Sequence, residues 1–156
     1  MNTFSGVWRC IQRLHQIHPY EVETIFQRVG IAKSLLSNQD VSIPVEILLN
    51  FVIDAQTVFK DELVSINFGR MAQVRPNYGE AFGLVFVYSK NLQQGLKLLQ
   101  SYINTELEGL NFLIIEEKNH IKIQSVVNPK IKHPSIYENL GLSILASFIR
   151  SKRFQI

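Results

Sequence analysis

Six side chains beside apolar stretches of this sequence have the chemistry to bind a small ligand. They are two arginines, three tyrosines and the single tryptophan: Arg70, Arg75, Tyr78, Tyr88, Tyr102 and Trp8. Arginine binds a carboxylate or phosphate through two parallel hydrogen bonds, and ligand pockets combine a few such groups with apolar walls. We therefore predict a site in which an arginine anchors an anionic ligand and Trp8 forms an aromatic wall. Alternatively, any one of these side chains is an ordinary amphipathic residue whose polar end lies in water.

No recognisable catalytic motif is present in the sequence. A nucleophile elbow, a phosphate-binding glycine loop, a dinucleotide fingerprint and a zinc-protease helix are all missing. His15 and His18 lie three residues apart on a predicted helix, but no carboxylate or thiol close in sequence completes a metal site, so ordinary histidines are the favoured interpretation. Glu116 and Glu117 are adjacent in a predicted strand and point to opposite faces. We therefore predict a protein that is not an enzyme and holds neither a metal nor a cofactor.

The composition is that of a globular domain. Of 156 residues, 46% are apolar and 19% are charged, which excludes a disordered or fibrous chain. Sixteen Lys and Arg against thirteen Asp and Glu give a net charge of +3, which is too small for the concentrated basic surface that binds nucleic acid. The basic residues within 150–153 are interpreted as cations that complement the dipole of the last helix, and contact with nucleic acid is the alternative.

Cysteine content and hydropathy predict the cellular compartment. Cys10 is the only cysteine, so an internal disulfide framework and a multi-cysteine metal site are excluded. The first 17 residues lack a secretory signal pattern, and the apolar window 81–88 is far shorter than the roughly 20 residues that span a bilayer. We expect a cytoplasmic protein with no membrane partner.

Apolar residues at helical spacing predict most of the secondary structure. A first helix carries Val7, Trp8 and Ile11, a second runs from Pro19 to a left-handed exit at Gly30, and Ser42 with Pro44 opens a long third helix. A short helix is predicted over 63–71 and a loop over 74–79. Asn91 is a predicted N-cap for a helix whose inner positions include Leu96, Leu99, Tyr102 and Ile103.

Alternating residues predict a β-hairpin over 110–127. A two-residue turn at Lys118 and Asn119 pairs Ile114 with Ile123 and directs one apolar set inward: Phe112, Ile114, Ile121 and Ile123. Ser135 and Glu138 then have the spacing of a capping box for a last helix. Three apolar residues of that helix lie outside its main apolar stripe: Leu142, Leu145 and Ile149. Together with the second face of the hairpin, they suggest self-association. The expected fold is α+β, a mostly helical single domain over 1–156 with a small antiparallel sheet.

The stretch 77–96 resembles a known family signature. It contains Gly79 and Gly83 four residues apart, an apolar run, and then Ser89, Asn91 and Leu92. This order is similar to the Gly-x-x-x-Gly, apolar run, Ser-x-Thr-Leu-x-x-Ala-Leu signature in the N-terminal, arabinose-binding-like sensor domain of AraC/XylS-type transcription regulators. Asn91 stands where the family has threonine and is an equally good N-cap. Gly95 stands where the family has alanine, and glycine is about 1 kcal/mol less favourable than alanine within a helix.

The resemblance covers roughly residues 10–154 and implies a function. It includes the helix exit at 29–31, the polar turn at 38–40 and the helix opened at 43–44. It implies an effector-binding and dimerisation domain that forms a homodimer and reaches DNA only through a C-terminal helix-turn-helix domain, for which this chain has no residues. The alternatives are a pure dimerisation module without a ligand and, more weakly, an unrecognised enzyme. The resemblance does not identify the effector.

Overall fold

Helices dominate the N-terminal part of the chain. The structure, a computed structural model, describes residues 2–3, 5–38, 41–71, 88–118 and 120–151. The elements up to residue 71 are a short strand β1 (Asn2–Thr3), α1 (Ser5–Ile17), α2 (Pro19–Val29), a 3₁₀ helix (Lys33–Ser37), β2 (Ile43–Pro44), α3 (Val45–Phe59) and α4 (Val64–Arg70). β1 pairs antiparallel with β2, with Thr3 opposite Ile43. The predicted loop at 74–79 lies outside the described residues.

The boundaries of α2 follow directly from two residues. Pro19 occupies the first helical position, where its missing N–H and fixed φ are tolerated. Gly30 ends the helix with φ +75, and the Ile31 N–H donates to the Phe26 carbonyl at 2.9 Å. A left-handed residue at this position reverses the direction of the chain. The following N–H can then donate to a carbonyl in the last turn of the helix that would otherwise lack a partner. The predicted helix exit is confirmed.

The C-terminal part consists of two helices and a hairpin. The elements are α5 (Leu92–Glu106), β3 (Leu110–Glu117), β4 (His120–Val127) and α6 (Pro134–Ser151). Asn91 caps α5, because its side-chain oxygen accepts a 2.8 Å hydrogen bond from the Gln94 N–H. The predicted N-cap is therefore confirmed.

The hairpin has the register that the sequence predicts. Ile114 lies opposite Ile123 and Phe112 opposite Ser125. Phe112 is fully buried, and the other inward residues pack half-buried against the core, whereas Leu113 and Ile115 on the outer face are 43% and 38% exposed. Alternation places the two sets on opposite faces. The predicted register and inner face are confirmed.

One apolar core joins these elements, and the fold is α+β as predicted. Its centre is a row of aromatic rings in which Phe26 stacks on Trp8 and meets Phe51, which in turn contacts Phe68; adjacent ring centroids are 5.9–6.0 Å apart. α4 packs tightly on α6 where Gly69 faces Ser143. Within the described residues, no helix is long and apolar enough to cross a membrane.

Two predicted positions on helices are wrong. Tyr102 is 43% exposed, because the buried stripe of α5 runs through its neighbour Ile103 and an adjacent helical residue points about 100° away. Ser135 is not an N-cap, since α6 begins one residue earlier at Pro134. The carboxylate of Glu138 instead accepts a hydrogen bond from the Ser125 hydroxyl on β4.

The apolar residues on α6 that suggested a self-association surface are covered within the chain. Leu145 is 2% exposed, and Leu142 and Ile149 are half-buried against the core. α6 is covered on more sides than a single apolar stripe predicts, because it contacts α3, α4 and both strands of the hairpin. Leu145 is therefore not available for self-association, and Leu142 and Ile149 offer only part of their surface; the dimer itself stays a prediction.

Candidate ligand-binding site

Trp8 is a core residue rather than a wall of a described pocket. Its side chain is fully buried and stacks on Phe26. The indole N–H donates to the Asn38 carbonyl at 3.1 Å. The amide of Gln12 donates to the same carbonyl at 2.8 Å, so both side chains fasten the segment after the 3₁₀ helix to α1. Burial together with a satisfied N–H explains this tryptophan as a structural residue.

The other predicted site residues that the structure describes are exposed. Arg70 is exposed at the last position of α4. Tyr88 and Tyr102 are 77% and 43% exposed, the first before α5 and the second on it. Arg75 and Tyr78 lie outside the described residues.

A groove lies where the first turn of α3 meets the loop that precedes α6. Its volume is about 230 Å³. The floor is apolar and consists of Val45 and Leu49 from α3 and Ile131 from the loop, and each of these side chains is at least nine-tenths buried. A floor of this kind gives an organic ligand apolar surface to cover.

Charged and polar side chains surround this floor. The rim comprises Glu46 and Asn50 on α3 and three basic residues of the loop: Lys130, Lys132 and His133. Lys132 Nζ lies 2.9 Å from Glu46 Oε1, and both side chains are largely exposed. This hydrogen bond lowers the pKa of Glu46 and raises the pKa of Lys132. Both groups are therefore charged at neutral pH, and two lysines against one carboxylate leave the rim with one excess positive charge.

Local hydrogen bonds fix the loop that carries the basic residues. Asn128 accepts from the Lys130 N–H through its side chain and from the Ile131 N–H through its carbonyl, each at 2.9 Å. His133 has φ +59, and its carbonyl accepts from the Tyr137 N–H at 3.3 Å in the first turn of α6. An asparagine turn at one end and a helix start at the other fix the conformation of the loop, while Ile131 packs into the core.

The sequence contains a signal for this groove that no motif predicts. Between Pro129 and Pro134, Ile131 is the only apolar residue among basic ones. A lone apolar residue in such a loop is typical of an anchor that packs on the core and leaves its neighbours at the surface. Glu46, the ion-pair partner of Lys132, lies 86 positions earlier in the sequence. Only the tertiary fold therefore brings these two residues together.

His15 and His18 have separate structural partners. His15 Nε2 lies 3.1 Å from Glu23 Oε1, and Lys33 Nζ lies 2.6 Å from the same oxygen. Hydrogen bonds from Lys33 first, and then from His15, lower the pKa of Glu23. The ring of His18 instead meets Phe59 edge-on with centroids 5.1 Å apart. Glu23 therefore links α1, α2 and the 3₁₀ helix. Among the described residues, no three His, Cys, Asp or Glu side chains cluster as metal ligands would.

Comparison with known proteins adds no relative to this description. No model of a known protein family matches the chain, and no curated protein matches it.

Proposed function

We propose that this chain is the effector-binding and dimerisation domain of an AraC-type transcription regulator in the cytoplasm. A small molecule bound to it would bias an attached DNA-binding module between two arrangements, without any chemical reaction. The observation that carries the proposal is the order of three boundaries shared with the family pattern. Gly30 ends α2, the segment Ile43–Pro44 precedes α3, and Asn91 caps α5.

The groove beside α3 supports the ligand-binding part of the proposal. It combines an apolar floor with charged groups at its edge, which is the usual composition of a small-ligand site. The arginine and tyrosine set around residues 70–102 remains a second hypothesis for the effector site. Alanine substitution of Arg70 and Arg75, measured with an identified effector, tests that set directly.

The outer face of the hairpin supports the dimerisation part. Leu113, Ile115 and Val126 are 38–43% exposed on one side of the sheet. Apolar side chains grouped on one sheet face are typical of an interface. This face also favours the second candidate function, a dimerisation module without a ligand.

A metabolite panel separates the two functions. A ligand present at 100 times its dissociation constant stabilises the folded chain by about 2.7 kcal/mol, which raises the melting temperature measurably. We expect at least one such ligand, with no consumption of the compound during incubation. A panel without any shift, together with a dimer in sedimentation, would favour the pure dimerisation module. Turnover of a panel compound would overturn both functions in favour of an enzyme.

DNA binding and self-association give two further tests. The chain alone should show no sequence-selective DNA binding at physiological salt, because a net charge of +3 is too small for the concentrated basic surface that reads DNA. Sedimentation should detect a dimer at high micromolar concentration, and Leu113→Lys should weaken it. Sub-micromolar selective DNA binding, or a strictly monomeric chain, would contradict the proposal.

A further inference from the structure

The groove beside α3 has the chemistry to recognise one class of ligand. We propose that it binds a small organic monocarboxylate, whose carboxylate contacts Lys132 and Lys130 and whose apolar body covers Val45, Leu49 and Ile131. Glu46 holds Lys132 when the groove is empty and releases it to the ligand. That such a ligand is the effector rests on the proposed function, whereas binding at the groove does not.

Charge and size together select a monoanion. The rim carries two lysines against one carboxylate, with a 2.9 Å contact between Lys132 and Glu46. The rim therefore carries one excess positive charge. A monocarboxylate neutralises this charge, whereas a dianion would leave a net negative charge. A volume of about 230 Å³ suits a compact molecule rather than a polymer segment.

The apolar floor separates an organic acid from a simple anion. The apolar lining that a ligand can cover combines the small exposed parts of Val45, Leu49 and Ile131, which are 2–6% exposed, with the exposed ring of Pro44. Covering this surface adds affinity only for a ligand with an apolar body. An inorganic anion would contact the lysines alone and remain salt-sensitive and weak.

The ion pair at the rim provides an exchange that can be tested. Lys132 and Glu46 are 76% and 63% exposed, and exposed ion pairs are weak because water and salt screen them. A ligand carboxylate can therefore replace Glu46 at Lys132. Loss of the Glu46 charge should strengthen ligand binding, since it removes the competitor.

The first experiment compares three probes on the full chain by amide chemical-shift titration. Benzoate is expected to shift the amides of residues 45–50 and 130–133 in the millimolar range. Benzamide, its neutral analogue, and inorganic phosphate are each expected to bind about tenfold more weakly. Benzamide binding equal to benzoate would overturn the role of the lysines, and phosphate binding equal to benzoate would overturn the role of the floor. Shifts confined to other regions, or none, would overturn the site.

The second experiment uses exposed substitutions with matched controls. Lys132→Gln should weaken benzoate about threefold, as expected for a contact at an exposed lysine, whereas Lys118→Gln, which removes the same charge from the exposed turn of the hairpin, should not. Glu46→Gln should strengthen binding severalfold relative to Glu62→Gln, an exposed glutamate outside the groove. Asn50→Trp should block the groove by size. Equal effects of a groove variant and its control would refute the site in favour of non-specific charge attraction.

The outcomes for the groove and for the proposed function are distinguishable. Failure of benzoate to bind leaves open an effector site around residues 70–102, which the metabolite panel still detects. A panel without any stabilising compound, combined with benzoate binding at the groove, would overturn the sensor function and retain the carboxylate site.

Discussion

Gly69 is the one of the three glycines with described surroundings at which an added methyl group would meet backbone of another helix. A Cβ at residue 69 would overlap the Ser143 hydroxyl and lie 2.8 Å from Ser143 Cβ and 2.9 Å from the Ile144 backbone nitrogen. A rotamer change of Ser143 would remove only the first of these overlaps. Ile144 lies inside the 18-residue helix α6, so its backbone cannot move locally. Gly69→Ala should therefore force α4 away from α6.

The expected cost follows from three contributions. Overpacking costs 1–3 kcal/mol, and the upper value of about 3 kcal/mol applies because a backbone atom is in the way. Separation of the helices breaks the 3.3 Å hydrogen bond from the Ser147 hydroxyl to the Gly69 carbonyl, at about 1 kcal/mol. Alanine recovers about 1 kcal/mol of helix propensity. The net loss should be about 3 kcal/mol, which is a large part of the 5–15 kcal/mol that stabilises a typical domain.

Urea unfolding followed by circular dichroism measures this loss. Adding Ser143→Gly to Gly69→Ala removes two of the three obstacles, so the double variant should recover part of the stability. Gly30→Ala is the control: a Cβ there meets nothing within 4 Å, and only the left-handed φ is penalised, by about 1–2 kcal/mol. If Gly69→Ala lies within about 1 kcal/mol of the wild type, the argument for rigid backbone contact is refuted.

Two other substitutions each test one hydrogen bond, and the second also tests the titration of a buried tyrosine. Asn91→Ala should destabilise the chain by about 1 kcal/mol through loss of the α5 cap, and Asn91→Ser should retain most of the stability; equal effects in urea unfolding would contradict the cap. Tyr137→Phe should cost about 1 kcal/mol, because it removes the 3.1 Å bond from the buried phenol to the Glu108 carbonyl, whereas Tyr20→Phe on an 82% exposed side chain should cost nothing measurable. Burial raises the pKa of Tyr137 well above its usual value. The unfolded chain therefore releases this proton first, and stability should fall as the pH rises beyond about 10. The wild type should lose more stability there than Tyr137→Phe, and parallel alkaline profiles of the two would be inconsistent with this burial.

Local interactions explain what the sequence alone could predict. The end of α2 depends on the left-handed conformation of Gly30, the start of α5 on the side chain of Asn91, and the hairpin register on a two-residue turn followed by alternating residues. Each of these features involves atoms only a few positions apart in the chain, or a strict period of two. Propensity and short-range hydrogen bonds therefore determine them before any tertiary packing.

The start of α6 shows where two local signals compete. Ser135 and Glu138 have capping-box spacing, but Pro134 is well suited to the first helical position and begins the helix one residue earlier. Glu138 then binds Ser125 on β4, a partner 13 positions away. The sequence thus predicted the helix, while contact with the hairpin decided the role of its glutamate.

Tertiary structure alone decided which faces are covered and which distant charges meet. Periodicity assigns a side chain to a face of its own helix, but it contains no information on which other elements cover that face. Leu145 is consequently buried, although it lies outside the main apolar stripe of its helix. Tyr102 is exposed, although it lies at the edge of the apolar stripe of α5. The groove has the same origin, since Glu46 and Lys132 are 86 positions apart and meet only because the loop before α6 packs on α3. Such contacts depend on the packing of whole elements, and local sequence rules do not encode that geometry.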